Sequence, residues 1–130
     1  FWRVMENFYI KAANFIPEIN FNAENGEMSI SGESYHEYTQ EFYQPVFEWL
    51  RNYLSTPNRT ITFNFKMYYY NTSSSRRFLE IFDLLEDYQN NHGGTIVVNW
   101  YYKENDLDML ESGEEYAEDT GLKFNLIAYS

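Results

Sequence analysis

Residues 60–69, TITFNFKMYY, alternate strictly: Ile61, Phe63, Phe65 and Met67 on one side, Thr60, Thr62, Asn64 and Lys66 on the other. A period of two predicts a strand with one buried face. The same period recurs in FYIKAA (8–13), EMSISG (27–32), TIVVNWYY (95–102) and KFNLIAY (123–129). Asn25-Gly26 supplies a turn signal before the second of these. The first two stretches therefore read as an antiparallel pair joined by a long connection around Pro17.

Between these strands the period lengthens. Phe42, Tyr43, Val46, Phe47, Leu50, Tyr53 and Leu54 follow helical spacing, as do Phe78, Ile81, Phe82, Leu85 and Tyr88 within 73–89. Ser34 and Glu37 have capping-box spacing ahead of the first helix. Pro45 within it predicts a kink, or the first turn of a second segment, and Pro57-Asn58 ends it. His92-Gly93-Gly94 closes the second helix. A third helix, over 105–121, takes Asn105 or Asp106 as its cap and Gly121 as its stop. The predicted order is β-β-α-β-α-β-α-β: an α/β single domain with a mixed sheet of about five strands. The polar alternate faces of those strands place the helices mainly on one face. The other face is left exposed or covered by a partner.

Composition narrows the function. The 130 residues are 44% apolar and 21% aromatic, with 13 Tyr and 11 Phe, enough for one Phe-rich core with Tyr at its edges. Met5 reads as a natural start, so the expected domain is 5–130 and Phe1–Val4 either artificially added residues or an upstream extension. With no Cys, disulfides, thiol nucleophiles and Cys-ligated zinc are excluded, which suits a reducing cytosol. No stretch resembles a secretion signal or a membrane span, so a cytoplasmic location is expected. Net charge is −11, from 20 acidic against 9 basic residues. Nucleic acid and anionic membrane both need a basic surface, so neither is an expected partner. Proteins are.

The candidate chemistry lies in YYYNTSSSRR (68–77). Asn71, Thr72 and Ser73 all suit a helix N-cap, yet hydroxyls at Thr72, Ser73, Ser74 and Ser75 are more than a cap requires. Arg76 and Arg77 follow in the first turn, where the helix dipole favours acids. One reading is that an anion arrives, such as a phosphate attached to Thr72, Ser73 or Ser74. The other is that the arginines pair with carboxylates on neighbouring elements. The pattern leaves the two level. Tyr68, Tyr70, Tyr101 and Tyr102, at the ends of two adjacent strands, suit a partner-binding surface, with Tyr69 and Trp100 expected to point inward.

GESY (32–35), FYQPVFEWL (42–50), FNFKMYYYNTSSSR (63–76), VNWYY (98–102) and MLESGEEYAE (109–118) together resemble the SiaC family of bacterial regulatory phosphoproteins, over roughly Phe8–Tyr129. The resemblance implies a STAS-like fold and Thr72 as the phosphoacceptor, with Asn71, Ser73, Ser74, Ser75, Arg76 and Arg77 surrounding it. It implies a dedicated kinase with a histidine-kinase-like fold and a PP2C-type phosphatase. The implied effector is a diguanylate cyclase, bound by the unphosphorylated form in cyclic-di-GMP signalling, or another protein. The chain departs from the family at His36, where Pro is common, and at Arg76, where Lys is expected.

Two other classes compete. Eight carboxylates between Glu104 and Asp119 suggest a small acidic metal-dependent hydrolase. They lack the EF-hand ladder, neither His36 nor His92 has metal-ligand spacing, and a solvated helix face accounts for them. Nor is there a nucleophile elbow or a P-loop. Clustered Tyr and Trp beside acids also suit an aromatic carbohydrate-binding module. The expected function is a non-catalytic switch needing no metal or cofactor.

Overall fold

The computed structural model describes residues 5–130; Phe1–Val4, read above as added residues or an upstream extension, lie outside the described residues. The elements are β1 (Phe8–Ile10), β2 (Glu18–Phe21), β3 (Glu27–Ser34), α1 (Thr39–Tyr53), β4 (Thr60–Tyr70), α2 (Thr72–Asn91), β5 (Thr95–Lys103), α3 (Leu107–Asp119) and β6 (Lys123–Tyr129). They form one six-stranded sheet in the order β1-β2-β3-β4-β5-β6. β2 pairs antiparallel with both β1 and β3, so the expected direct pairing of 8–13 with 27–32 does not form, and β3 to β6 are parallel. Each crossover steps one strand in the same direction, so right-handed connections put α1, α2 and α3 on one face.

That face is the core. Ile19, Phe21, Met28, Ile30, Phe63, Phe65, Met67, Val98 and Trp100 from the sheet meet Val46, Leu50, Phe78, Ile81, Phe82 and Leu85 from the helices, all essentially inaccessible. The opposite face is polar, as the alternation required. One register row crosses five strands as Asn20, Ser29, Asn64, Asn99 and Asn125. The Asn99 side-chain amide donates to Asn64 at 2.9 Å, and that of Asn125 donates to Asn99 at 3.0 Å.

Four expectations need correcting. The sheet has six strands because Glu18–Phe21, four residues beside Pro17, form β2; so short an alternation is indistinguishable from a connection. Ser34 does not cap α1. It ends β3 opposite Tyr70, and the helix starts five residues later, at Thr39. Pro45 does not start a second segment, since α1 runs unbroken from Thr39 to Tyr53. Burial of Tyr43, Val46, Phe47, Leu50 and Tyr53 outweighs the ~3 kcal/mol cost of an interior proline. Tyr does not only mark edges: Tyr43, Tyr53 and Tyr88 are fully buried. Each has its hydroxyl satisfied, Tyr53 donating to Ala23 O at 2.9 Å and Tyr88 to Thr56 O at 2.6 Å.

Candidate phosphoacceptor site

β4 delivers the chain to the site. The β3–β4 register shifts at Gly32/Glu33, so that Met67 faces Gly32 but Tyr69 faces Glu33. One residue, Tyr68, is thereby skipped, and the alternation breaks. Tyr68 and Tyr69 both end outward, at 59% and 53% exposure. The expectation of an inward Tyr69 fails for this reason; its ring packs edge-on against Tyr35 at 5.3 Å. Tyr70 turns inward instead, half-buried against Phe78 and Trp100. Burial is the main cause that raises its phenol pKa well above the ordinary value, with Tyr116 adding to it. Trp100 is inward, as expected.

Asn71, with an extended backbone, is the N-cap of α2, and its side-chain oxygen accepts the Ser74 N–H at 2.9 Å. The four hydroxyls then diverge. Ser73 bonds Thr39 at the start of α1. Ser74, fully buried, donates to Ser34 O at 2.5 Å and bonds the Ser34 hydroxyl at 2.8 Å. Ser75 bonds the Tyr116 hydroxyl of α3 at 2.6 Å. Thr72 is exposed, and among the described residues its hydroxyl has no hydrogen-bond partner. Three of the hydroxyls tie the helix start to α1, β3 and α3, and one is left free.

The buried part of this network has only one consistent proton arrangement. A carbonyl only accepts, so the Ser74 proton goes to Ser34 O. The Ser34 proton goes to Ser74 Oγ, and the Tyr43 proton, 2.7 Å away, to Ser34 Oγ. Burial pushes the Tyr43 phenol pKa up, which keeps it protonated and a donor.

The arginines part company. Arg76 is exposed and, among the described residues, makes no ion pair. Arg77 is 9% exposed and pairs with Glu80 at 3.0 Å, on its own helix rather than a neighbouring element. Its Nε is buried without a partner. An exposed cleft of about 260 Å³ beside Thr72 is lined by Tyr70, Asn71, Ser75, Ser112, Glu115 and Tyr116; Arg77 faces a different cavity. Of the aromatics proposed for partner binding, Tyr68 and Tyr101 lie on the open face of the sheet. Tyr70 and Tyr102 sit half-buried on the helix face.

The acidic helix is α3, capped by Asp106, with Met109, Gly113 and Tyr116 buried and nearly all its carboxylates exposed. Among the described residues no three of His, Asp and Glu gather where a metal ion fits. His36 Nδ1 accepts the Tyr38 N–H at 2.9 Å. His92 caps the far end of α2, about 30 Å from Thr72 at 1.5 Å per residue. No helix of the described residues is long and apolar enough to cross a membrane.

Ser34, Thr39, Tyr43, Ser112 and Tyr116 belong to the site and escaped sequence reasoning. All but Thr39 lie in the segments GESY, FYQPVFEWL and MLESGEEYAE; the first two are close in sequence and the third is far from both, and they meet around the α2 N-terminus. The profile described as "SiaC family regulatory phosphoprotein" matches residues 10–129. The chain belongs to the SiaC family. It is 28% identical over 125 residues to an uncharacterized protein of Pseudomonas aeruginosa strain UCBPP-PA14, covering 96% of this chain and 98% of that one. It superposes on apo-SiaC from Pseudomonas aeruginosa with a TM-score of 0.87 at 28% identity, covering 95% of this chain and all of that one. A further match, with a TM-score of 0.86 and 28% identity, is SiaC solved in complex with the diguanylate cyclase SiaD, whose activator it is; 94% of this chain and 99% of that one are covered.

Proposed function

We propose that this SiaC-family chain is a non-catalytic cytoplasmic switch, phosphorylated at Thr72, whose state controls docking on an effector of the diguanylate cyclase class. A kinase with a histidine-kinase-like fold adds the phosphate and a PP2C-type phosphatase removes it. The observation that carries the reading is the division of labour among the hydroxyls: Ser73, Ser74 and Ser75 are bonded to other elements, and Thr72 is exposed and, among the described residues, unbonded. The SiaC–SiaD complex supports the class of effector.

A phosphate on Thr72 adds about −1.5 to −2 charge units at the first residue of α2. There the helix dipole is positive, the Thr72 and Ser73 N–H groups lie outside the cap bond, and Arg76 follows one turn on. The modified group is thus accommodated by the helix it sits on. A partner surface laid over Thr72 has no such compensation, and burying the dianion there costs several kcal/mol. The fold need not change for binding to be lost.

The test is phosphotransfer and binding on one set of variants. Thr72→Ala is expected to lose labelling by the cognate kinase and to bind the cyclase as wild type does. Ser73→Ala is expected to keep labelling, and Thr72→Asp to weaken binding at least tenfold. Undiminished labelling of Thr72→Ala would sink the assignment.

A further inference from the structure

A second cavity, of about 210 Å³, lies on the other flank of the α2 N-terminus, between it and the start of α1. Thr39 and Gln40 of α1 line it together with Ser73, Arg76 and Arg77 of α2. We infer that this cavity is a binding site for a phosphate-class oxyanion that arrives from outside the chain, separate from any group on Thr72.

Two independent observations point there. First, α1 begins without a side-chain cap: Tyr38 occupies the N-cap position and makes no capping bond. The first helical bond is Phe42 N–H to Tyr38 O, so the N–H groups of residues 39–41 have no intrahelical acceptor. Second, Arg77 is nine-tenths buried in the cavity wall, held by Glu80 alone, with its Nε unpartnered. A guanidinium nine-tenths buried and held by a single carboxylate keeps donors to spare, and lining the cavity it can turn them to an anion there. Arg76 adds a second cation without an ion pair. The Thr39 and Ser73 hydroxyls bond each other, which uses one proton of two and leaves the other to donate.

These donors come from two helices and two kinds of side chain, so they approach from several directions. A tetrahedral oxyanion with three free oxygens meets that arrangement better than a planar carboxylate. Glu37 and Glu41 also line the cavity, but both are exposed, where water and salt screen them. Glu80 competes for Arg77.

The experiment is an NMR titration of ¹⁵N-labelled Thr72→Ala protein at constant ionic strength. With the proposed acceptor removed, the result does not depend on the switch reading. Inorganic phosphate is expected to move the Thr39, Gln40, Glu41 and Ser73 amides saturably. Arg77→Gln should weaken binding about tenfold, the ratio for one lost charge-assisted bond, and Arg76→Gln several-fold. Acetate should bind several-fold more weakly than phosphate. O-phosphoserine binding tighter than inorganic phosphate assigns the group to a monoester on a larger molecule, and the reverse order to the free ion; both support the site. Unmoved amides, acetate binding as tightly as phosphate, or an unchanged midpoint in either arginine variant overturns it. Arg76 is exposed, so its variant remains informative should Arg77→Gln fail to fold.

Discussion

Replacing the four hydroxyls one at a time should separate stability from signalling within a single turn of helix. Ser74→Ala is the demanding case. Its Oγ donates to Ser34 O and accepts from the Ser34 hydroxyl, all at sites closed to water. Ser34 O keeps the Asn71 N–H at 3.2 Å. The Ser34 hydroxyl, already taking the Tyr43 proton, is left with no acceptor for its own. One orphaned buried donor costs about 1–3 kcal/mol. Thr72→Ala breaks no bond and removes an exposed group, so its cost lies within about 0.5 kcal/mol. In a domain of this size each kcal/mol moves Tm by roughly 3–5 °C. Urea melts followed by circular dichroism, with both variants assayed for phosphotransfer, should give opposite rankings: Ser74→Ala destabilised and still labelled, Thr72→Ala stable and unlabelled. If Ser74→Ala unfolds with the wild-type midpoint, the buried relay from Tyr43 through Ser34 to Ser74 is not a structural element, and the reason given for four hydroxyls fails.

Further outcomes follow from the packing. Gly113 faces the Trp100 indole so closely that an added Cβ has no room without the ring shifting. Gly113→Ala should therefore destabilise by about 1–3 kcal/mol despite alanine's better helix propensity, read as a lower urea midpoint. Tyr43 is buried with a raised pKa, against 10.0 when unfolded. A raised pKa favours the protonated fold, so this contribution is complete below pH 10 and is lost as pH rises beyond it. Tyr43→Phe should cost about 0.5–1.5 kcal/mol at neutral pH, and its gap to wild type should narrow by about pH 11. A gap that stays constant would show that Tyr43 does not carry the alkaline transition.

Much of the architecture was legible because strands and helices of this fold bury one face each. β4, β5 and both long helices announce themselves by period. β2 was not legible, since Ile19 and Phe21 give too few repeats beside Pro17 to register a period. Tyr69 was misplaced because alternation presumes a regular pleat, and the register shift near Gly32 depends on pairing with a strand thirty-odd residues away. Thr72 was named as the candidate acceptor by the family resemblance alone; the local pattern did not separate it from Ser73 or Ser74. That distinction comes from Thr39, Ser34 and Tyr116, tertiary neighbours whose approach no local pattern encodes. The resemblance held the clue, since its scattered segments are the ones that converge on the hydroxyls.

β5 accompanies β4 only as far as Lys66, opposite Tyr101, whereas β3 stays beside it to Tyr70. Thr72 therefore rides on the tip of a strand clamped on both sides at its base and on one side at its end. On the proposed function, a modifying enzyme grips that promontory without prising the sheet apart, and the stiff shaft behind it keeps the proposed signal at the surface, where its reader must come to it.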